Sequence, residues 1–517
     1  MKAKITTVAL LSLIFTVQAQ DIGDFISVEP AGQSSDFTIP PTHIFQKIIE
    51  EGEALTQGGV LGANNDFAGY VPIAQSSEKG YLSINSEHNP GGASVLDINF
   101  NPDTKLWETT NSKKVDFSVV AGTARNCSGT VTPWNTIITC EEAIATTDAN
   151  NDNRNDLGWC VELDPATKTV IDKRWALGNF KHENIVVHGN ERTVYEGADS
   201  NPGYLYKFVA DVDQDLSSGS LYVYRGSKNG SGQWIKIKNS TPAEQNSTLA
   251  QSDAINATVF NGIEDVEIGP DGKVYFAVKG EGRVYRFQDS DALTSTTVSQ
   301  METFVGGTSY TIQTSRGATA VSWGGGNDNL AFDGAGNLWV MQDGGNNYIW
   351  MVEKGHTQSN PKVKIFGTTP TGSEPTGITF SPDYRFLFLS IQHPSSANNS
   401  STQTDAAGNI LAFDNDITLV IARNEDLGGP LSTESFNRTK LNIYPNPSTG
   451  NYTLELENRN AEVEIQVFTA DGRRVVTQKT NNIKRYTLNL FSQPAGIYLV
   501  EIKRGNELIG RRKLIKK

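Results

Sequence analysis

Glu264-Asp265-Val266-Glu267-Ile268-Gly269-Pro270-Asp271-Gly272-Lys273-Val274-Tyr275-Phe276 holds the pattern that decides the fold: carboxylates, a short apolar strand, a tight turn and a second, aromatic-rich strand. Gly-Pro-Asp-Gly between two apolar runs is a hairpin signal, since proline presets one turn φ and glycine supplies a positive one. The unit recurs. Glu183-Asn184-Ile185-Val186-Val187 precedes Thr193-Val194-Tyr195, Asp328-Asn329-Leu330-Ala331-Phe332 precedes Asn337-Leu338-Trp339-Val340, and Glu374 to Phe380 precedes Arg385-Phe386-Leu387-Phe388. The copies lie roughly 50 to 80 residues apart, which suits propeller blades with insertions better than a strict ~40-residue repeat.

Aligning the turns brings Glu183, Glu264 and Asp328 into one register, with Thr376 at that place in the fourth copy and Glu374 two residues before it. In a propeller the innermost strands run along the axial channel, so equivalent residues converge. Crowded carboxylates repel unless protons or cations neutralise them, and a cation cluster is the expected resolution. For any single member, a solvated acidic turn is the alternative.

The 517 residues include 48 glycines and few long helical periodicities, which predicts an all-β body with an appendage. Lys2 and Lys4 precede the apolar run Val8 to Phe15, and Val17-Gln18-Ala19 follows, so residues 1–19 read as a signal peptide. That run is far short of the ~20 apolar residues that cross a bilayer, and no transmembrane segment is expected. The propeller is expected over 20–430, a linker over 431–440 and a small β-sandwich over 441–517. This last segment carries 13 basic against 7 acidic residues, leaving −20 of the net −14 charge on everything before it. An acidic body argues against nucleic acid and suits calcium.

Cys127, Cys140 and Cys160 are an odd number for an exported protein. Cys140 lies in Thr139-Cys140-Glu141-Glu142, where a thiolate beside carboxylates can serve a metal, while Cys127 and Cys160 could bridge the flanks. A buried free cysteine packing as a small hydrophobe is the other reading. Asp211, Asp213 and Asp215 are spaced like a calcium loop but lack its glycine and terminal glutamate, so they read as a solvated turn. There is no Gly-x-Ser-x-Gly elbow and no phosphate-cradling Gly-Lys-Ser/Thr.

The C-terminal segment opens Leu441-Asn442-Ile443-Tyr444-Pro445-Asn446-Pro447, contains Gly496-Ile497-Tyr498-Leu499-Val500 and ends Arg511-Arg512-Lys513-Leu514-Ile515-Lys516-Lys517. It resembles the sorting domains recognised by the type IX secretion machinery. That resemblance implies passage through the outer membrane, removal of the domain, and release or attachment at the cell surface.

The body resembles the PhoX family of calcium-dependent alkaline phosphatases, in patches from about Gly80 to Pro394. The motifs are Gly80-Tyr81-Leu82-Ser83-Ile84-Asn85-Ser86-Glu87-His88, Thr132-Pro133-Trp134-Asn135-Thr136-Ile137-Ile138-Thr139-Cys140-Glu141-Glu142, and Leu177-Gly178-Asn179-Phe180-Lys181-His182-Glu183. The Glu264-Asp265 strand, Asp328 to Asp333, and Glu374-Pro375-Thr376-Gly377 leading to Ile391-Gln392-His393-Pro394 follow in the family's order. The resemblance implies a six-bladed propeller holding calcium and iron in its channel, and hydrolysis of phosphate monoesters; a monomer is expected. Hard calcium takes oxygen ligands, and a thiolate supports iron.

Carried over residue by residue, the resemblance implies Cys140 on iron, and Glu87, Glu141, Glu142, Glu183, Asp199, Glu264, Asp265, Asp328, Asn329 and Glu374 as cluster ligands. Cys140, Glu141, Glu264 and Glu374 are expected to carry the chemistry. Glu142, Asp265 and Asn329 are expected as hydrogen-bonding supports, because neighbours on a strand face opposite ways. His88, His182 and His393 fall inside the motifs and are expected as supports or phosphate contacts, not as ligands, and Arg125 and Lys181 are expected as phosphate contacts on charge alone. Two departures stand out: no Arg pair in the signal peptide, so metals load after export, and Gly197-Ala198-Asp199 where the family has Thr-Glu-Asp, so one carboxylate is missing at Ala198. A lactonase-like calcium propeller and a non-catalytic, calcium-stabilised binding propeller are the alternative functions.

Overall fold

The computed structural model describes residues 21–429, 441–456, 462–469, 473–481, 485–504 and 507–517. The expected signal peptide, 1–19, and linker, 431–440, lie outside the described residues. Two compact units divide at Gly429, and no helix among the described residues is long and apolar enough to cross a membrane.

The first unit is a six-bladed β-propeller. Its inner strands are Asn65–Pro72, Asn126–Val131, His182–Val187, Ile263–Ile268, Asn327–Phe332 and Glu374–Phe380, and each neighbours the next around a closed ring. Every blade is an antiparallel sheet. The third and fourth fuse into nine strands through Gly230–Ile237 and Thr297–Gly306. The sixth blade is completed by the N-terminal strand His43–Glu50, which pairs with Ile417–Arg423 and ties the start of the unit to its end.

Blades are packed on both faces, so their middle strands are continuous apolar runs instead of alternating ones, as in Val274–Val278, Leu338–Gln342 and Tyr348–Val352. Adjacent residues serve opposite interfaces. Ile185 packs toward the second blade and Val186 toward the fourth. Six apolar cores result, one between each pair of neighbours. Aromatic residues fill them, with Trp323 and Trp350 stacked at 4.7 Å between centroids.

The second unit is a β-sandwich. Leu441–Tyr444, Asn451–Leu456 and Arg485–Asn489 form one sheet, and Arg474–Asn481, Glu462–Thr469, Gly496–Arg504 and Glu507–Lys516 the other. Tyr452, Leu454, Ile465, Val467, Leu488, Val500 and Ile502 alternate inward to make its core.

Candidate metal centre

All six inner strands share one irregularity: two residues stand between successive ladder pairs, flanked by Asn65 and Ala68, Asn126 and Gly129, His182 and Ile185, Ile263 and Val266, Asn327 and Leu330, and Thr376 and Thr379. A bulge re-aims side chains. The first bulged residue of blades one to five is Asp66, Cys127, Glu183, Glu264 and Asp328, and all five line one axial cavity of about 590 Å³. The second bulged residue is Phe67, Ser128, Asn184, Asp265, Asn329 and Ile378, and this layer lines a separate cavity.

The sixth blade places Gly377 at the first position, one residue beyond the Thr376 expected from turn alignment, because it has one ladder pair fewer between bulge and turn. Gly377 has φ +57°, and a Cβ there would sit 2.3 Å from the Asp66 carbonyl oxygen. Glycine therefore lets the last blade close against the first.

The upper ring is a set of donors without enough protons or partners. Cys127 Sγ lies 2.8 Å from Glu183 Oε1 and 3.4 Å from Asp66 Oδ2. Asp66 Oδ1, Glu264 Oε1 and Asp328 Oδ1 are buried and accept no hydrogen bond. Burial first, and then neighbouring carboxylates, push Asp66, Glu183 and Glu264 well above the usual carboxylate range. Burial outweighs Lys279 and raises Asp328 to about 7. The Cys127 thiol is pushed up by burial, Asp66 and Glu183. Ligand atoms of Asp66, Cys127 and Glu183, of Glu87, Cys127 and Glu142, of Glu183, Glu264 and Asp328, and of Asp328, Asp343 and Glu374 form overlapping groups, each within 4.8 Å.

The cavity mouth carries cations. Lys279 Nζ is 2.7 Å from Asp343 Oδ2, 3.7 Å from Asp328 and 3.8 Å from Glu264. Arg125 Nη2 bridges Glu87 at 2.7 Å and Glu142 at 2.8 Å, and Lys181 Nζ reaches Glu142 at 3.0 Å. Against the desolvation that burial imposes, these partners hold Glu142 below its ordinary value. Burial, then Asp343, raises Glu374 to about 11. Nine carboxyl groups line the cavity against two cationic side chains, Arg125 and Lys279, so cations fit the site electrostatically.

Residues 101–395, more than half of the chain, match the family model of Alkaline phosphatase PhoX. The chain belongs to the alkaline phosphatase PhoX family. Residues 442–517 match the Secretion system C-terminal sorting domain. The solved structure of Pseudomonas fluorescens PhoX in complex with vanadate, a transition state analogue, is similar to this PhoX-family chain with a TM-score of 0.61 at 21% identity, over 78% of this chain and 99% of that one. The likeness is one of fold. An ulvan lyase of Nonlabens ulvanivorans is 31% identical over 85 residues, so the match spans 16% of this chain and 16% of that relative's length.

Of the residues expected from the sequence, Glu87, Glu142, Glu183, Asp199, Glu264, Asp328 and Glu374 line the axial cavity of this PhoX-family propeller. Asp265 and Asn329 lie in the lower layer and stitch blades together: Asp265 accepts from Asn184 Nδ2 at 2.5 Å and Leu330 N at 2.6 Å, and Asn329 Oδ1 accepts from Gly377 N at 2.6 Å. Burial raises Asp265 to about 7. Glu141 turns away from the cavity, where its Oε2 accepts from Gly158 N and Trp159 N and its Oε1 pairs with Lys173 Nζ at 2.9 Å, both side chains fully buried. Strand alternation thus reverses the roles expected for Glu141 and Glu142.

Cys140 also lies off the cavity, in the apolar core between the second and third blades. Its strand, Ile137–Glu141, is second in its blade, whereas Cys127 is on the innermost one. The suggested Cys127–Cys160 bridge is not formed; all three cysteines are free. His88 and His393 reach the cavity, and His182 faces away, its Nε2 on the Gly178 carbonyl at 3.0 Å.

Sequence reasoning missed Asp66, Cys127, Lys279 and Asp343. A signal was present for three ring positions. Asn65-Asp66, Asn126-Cys127 and Asn327-Asp328 repeat an asparagine directly before the ring residue, and that dipeptide marks the bulge in blades one, two and five.

Proposed function

We propose that this protein is a secreted, metal-dependent phosphatase that hydrolyses phosphate monoesters at a calcium and iron cluster in its axial channel. The observation that carries this reading is the ring of Asp66, Cys127, Glu183, Glu264 and Asp328, brought by one repeated bulge around a common cavity. Buried carboxylate oxygens without hydrogen-bond partners fit calcium, and a single thiol among carboxylates fits iron. Asp66, Glu183, Glu264, Asp328, Asp343 and Glu374 would hold the hard cations, with Cys127 in the thiolate role expected of Cys140. When bound, such ions polarise a phosphoryl group and offset the charge of an in-line displacement.

The chain's own residues supply binding and orientation. Arg125 is half exposed at the mouth and presents a planar fork to phosphate oxygens, while Glu87 and Glu142 fix its position. Lys181 and Lys279 add positive charge on either side, drawing an anionic ester toward an otherwise acidic channel. The sorting domain supports delivery to the cell surface or medium by the type IX machinery, after a signal peptide has carried the chain into the periplasm.

Metal analysis of the purified full chain beside a p-nitrophenyl phosphate assay tests the proposal. Iron plus calcium, with turnover lost on chelation and regained on reloading, is the expected result. Calcium alone with lactone cleavage, or metal with turnover on neither substrate, would overturn it.

A further inference from the structure

Behind the axial ring, between the second and third blades, a second group of donors converges inside the protein. Cys160 opens the third strand of blade two, His182 the inner strand of blade three, and Glu196 lies on the strand beside it. All three side chains are fully buried. Cys160 Sγ and Glu196 Oε2 each stand 3.3 Å from His182 Nδ1. The three ligand atoms lie within 4.8 Å of one another. Cys140 Sγ, directly across the ladder, is 3.9 Å from Cys160 Sγ.

The hydrogen bonding accounts for only part of this group: a Cys160 thiol can bond to His182 Nδ1, and the carboxylate beside it is left over. His182 Nε2 faces the Gly178 carbonyl at 3.0 Å, and a carbonyl only accepts, so that nitrogen carries the proton. In the neutral ring Nδ1 then presents a lone pair to a thiol and a carboxylate. An Nε2–H held by a backbone carbonyl is the arrangement that orients metal-binding imidazoles. Both Glu196 oxygens are buried and accept no hydrogen bond among the described residues; the close polar neighbour of Oε2 is His182 Nδ1, which carries no proton in this tautomer. A disulfide between Cys140 and Cys160 would leave His182 and Glu196 unaccounted for, and the sulfurs stand almost twice an S–S bond length apart.

We infer that Cys160, His182 Nδ1 and Glu196 form a structural zinc site that staples the second blade to the third, with Cys140 the nearest fourth ligand. Zinc bonds of about 2.0–2.3 Å in a tetrahedron hold ligand atoms roughly 3.3–3.8 Å apart, as the distances to Nδ1 require. The dication offsets the Glu196 carboxylate and the Cys160 thiolate in an apolar surround, which a bare buried carboxylate does not achieve, and a second thiolate from Cys140 leaves a net −1, the charge of a zinc site with three cysteines and one histidine. The site is separate from the channel: its residues come from the inter-blade core, and none lines the axial cavity.

The test uses full-length protein carrying Cys127→Ser, so that the channel holds no thiol. Zinc content is measured by plasma mass spectrometry, and cobalt(II) is titrated into the zinc-stripped protein. The expected result is a sulfur-to-cobalt charge-transfer band and bound zinc, both lost on adding Cys160→Ala, with Cys140→Ala weakening but not abolishing them. Glu196→Gln, which keeps shape and both thiols, should weaken zinc binding by at least about tenfold; it carries the test if Cys160→Ala does not fold. An unchanged band in Cys160→Ala, unaltered zinc affinity in Glu196→Gln, free thiols with no cobalt band, or a Cys140–Cys160 disulfide in the non-reduced mass would each overturn the assignment.

Discussion

Glu141 offers a sharp separation of architecture from chemistry, because it sits beside Glu142 in sequence and faces the other way. Its Oε1 pairs with Lys173 Nζ at 2.9 Å, its Oε2 accepts from two backbone amides, and neither charged side chain has exposed area. Removing one member of such a pair leaves the other buried and uncompensated, which costs about 3–5 kcal/mol. Lys173→Met should therefore lower the unfolding free energy of the full chain by that amount, since the Asp156 carbonyl also loses its Lys173 Nζ donor. Glu141→Gln should cost a similar sum, and the double variant should cost less than the two singles together. Urea unfolding followed by the fluorescence of the eight tryptophans, Trp159 beside Glu141 among them, reports it. Metal content and turnover of the folded fraction should not change. Loss of bound metal in Glu141→Gln with an unaltered unfolding curve would refute the reasoning and return Glu141 to the channel.

Other outcomes follow from the same geometry. In metal-free protein, carboxyls raised by burial favour the folded state below their unfolded pKa of about 4, and that contribution is lost as pH rises through the folded values, about 7 for Asp328. The Tm of chelated protein should thus fall from pH 5 to pH 9 more steeply than that of metal-loaded protein; parallel curves would contradict it. Gly377→Ala should displace the ring at Asp66, where a Cβ would approach the carbonyl oxygen to 2.3 Å, and metal content measured on the soluble variant should drop. Deleting residues 441–517 should leave an active propeller held in the periplasm, and normal surface delivery of the truncated protein, read by fractionation, would remove the sorting role.

The fold was legible because hairpin turns at Gly269–Gly272 and Asp333–Gly336 punctuate apolar runs, and local turn chemistry survives folding. The acidic ring was partly legible for the same reason: Glu183, Glu264 and Asp328 stand at one distance from their turns. Cys127 was hidden because its hairpin lacks the acidic residue that marks the others, whereas Cys140 stands beside two glutamates. What decided between them was strand position within the blade: the ring neighbours of Cys127, Asp66 and Glu183, are 61 and 56 residues away in sequence, beyond the reach of local spacing. Thr376 misled by a single residue, since one missing ladder pair shifts the register at the bulge without disturbing the pattern around it. Glu196 and His182 are fully buried, which only the packed blades reveal.

The most direct test of the channel assignment compares Cys127→Ser with Cys140→Ser for iron content and p-nitrophenyl phosphate turnover. Loss of a cluster ligand removes several kcal/mol of transition-state stabilisation, a rate fall of about a thousandfold or more. The account predicts that Cys127→Ser loses iron and turnover while Cys140→Ser keeps both. Iron and turnover retained in Cys127→Ser but lost in Cys140→Ser would contradict it.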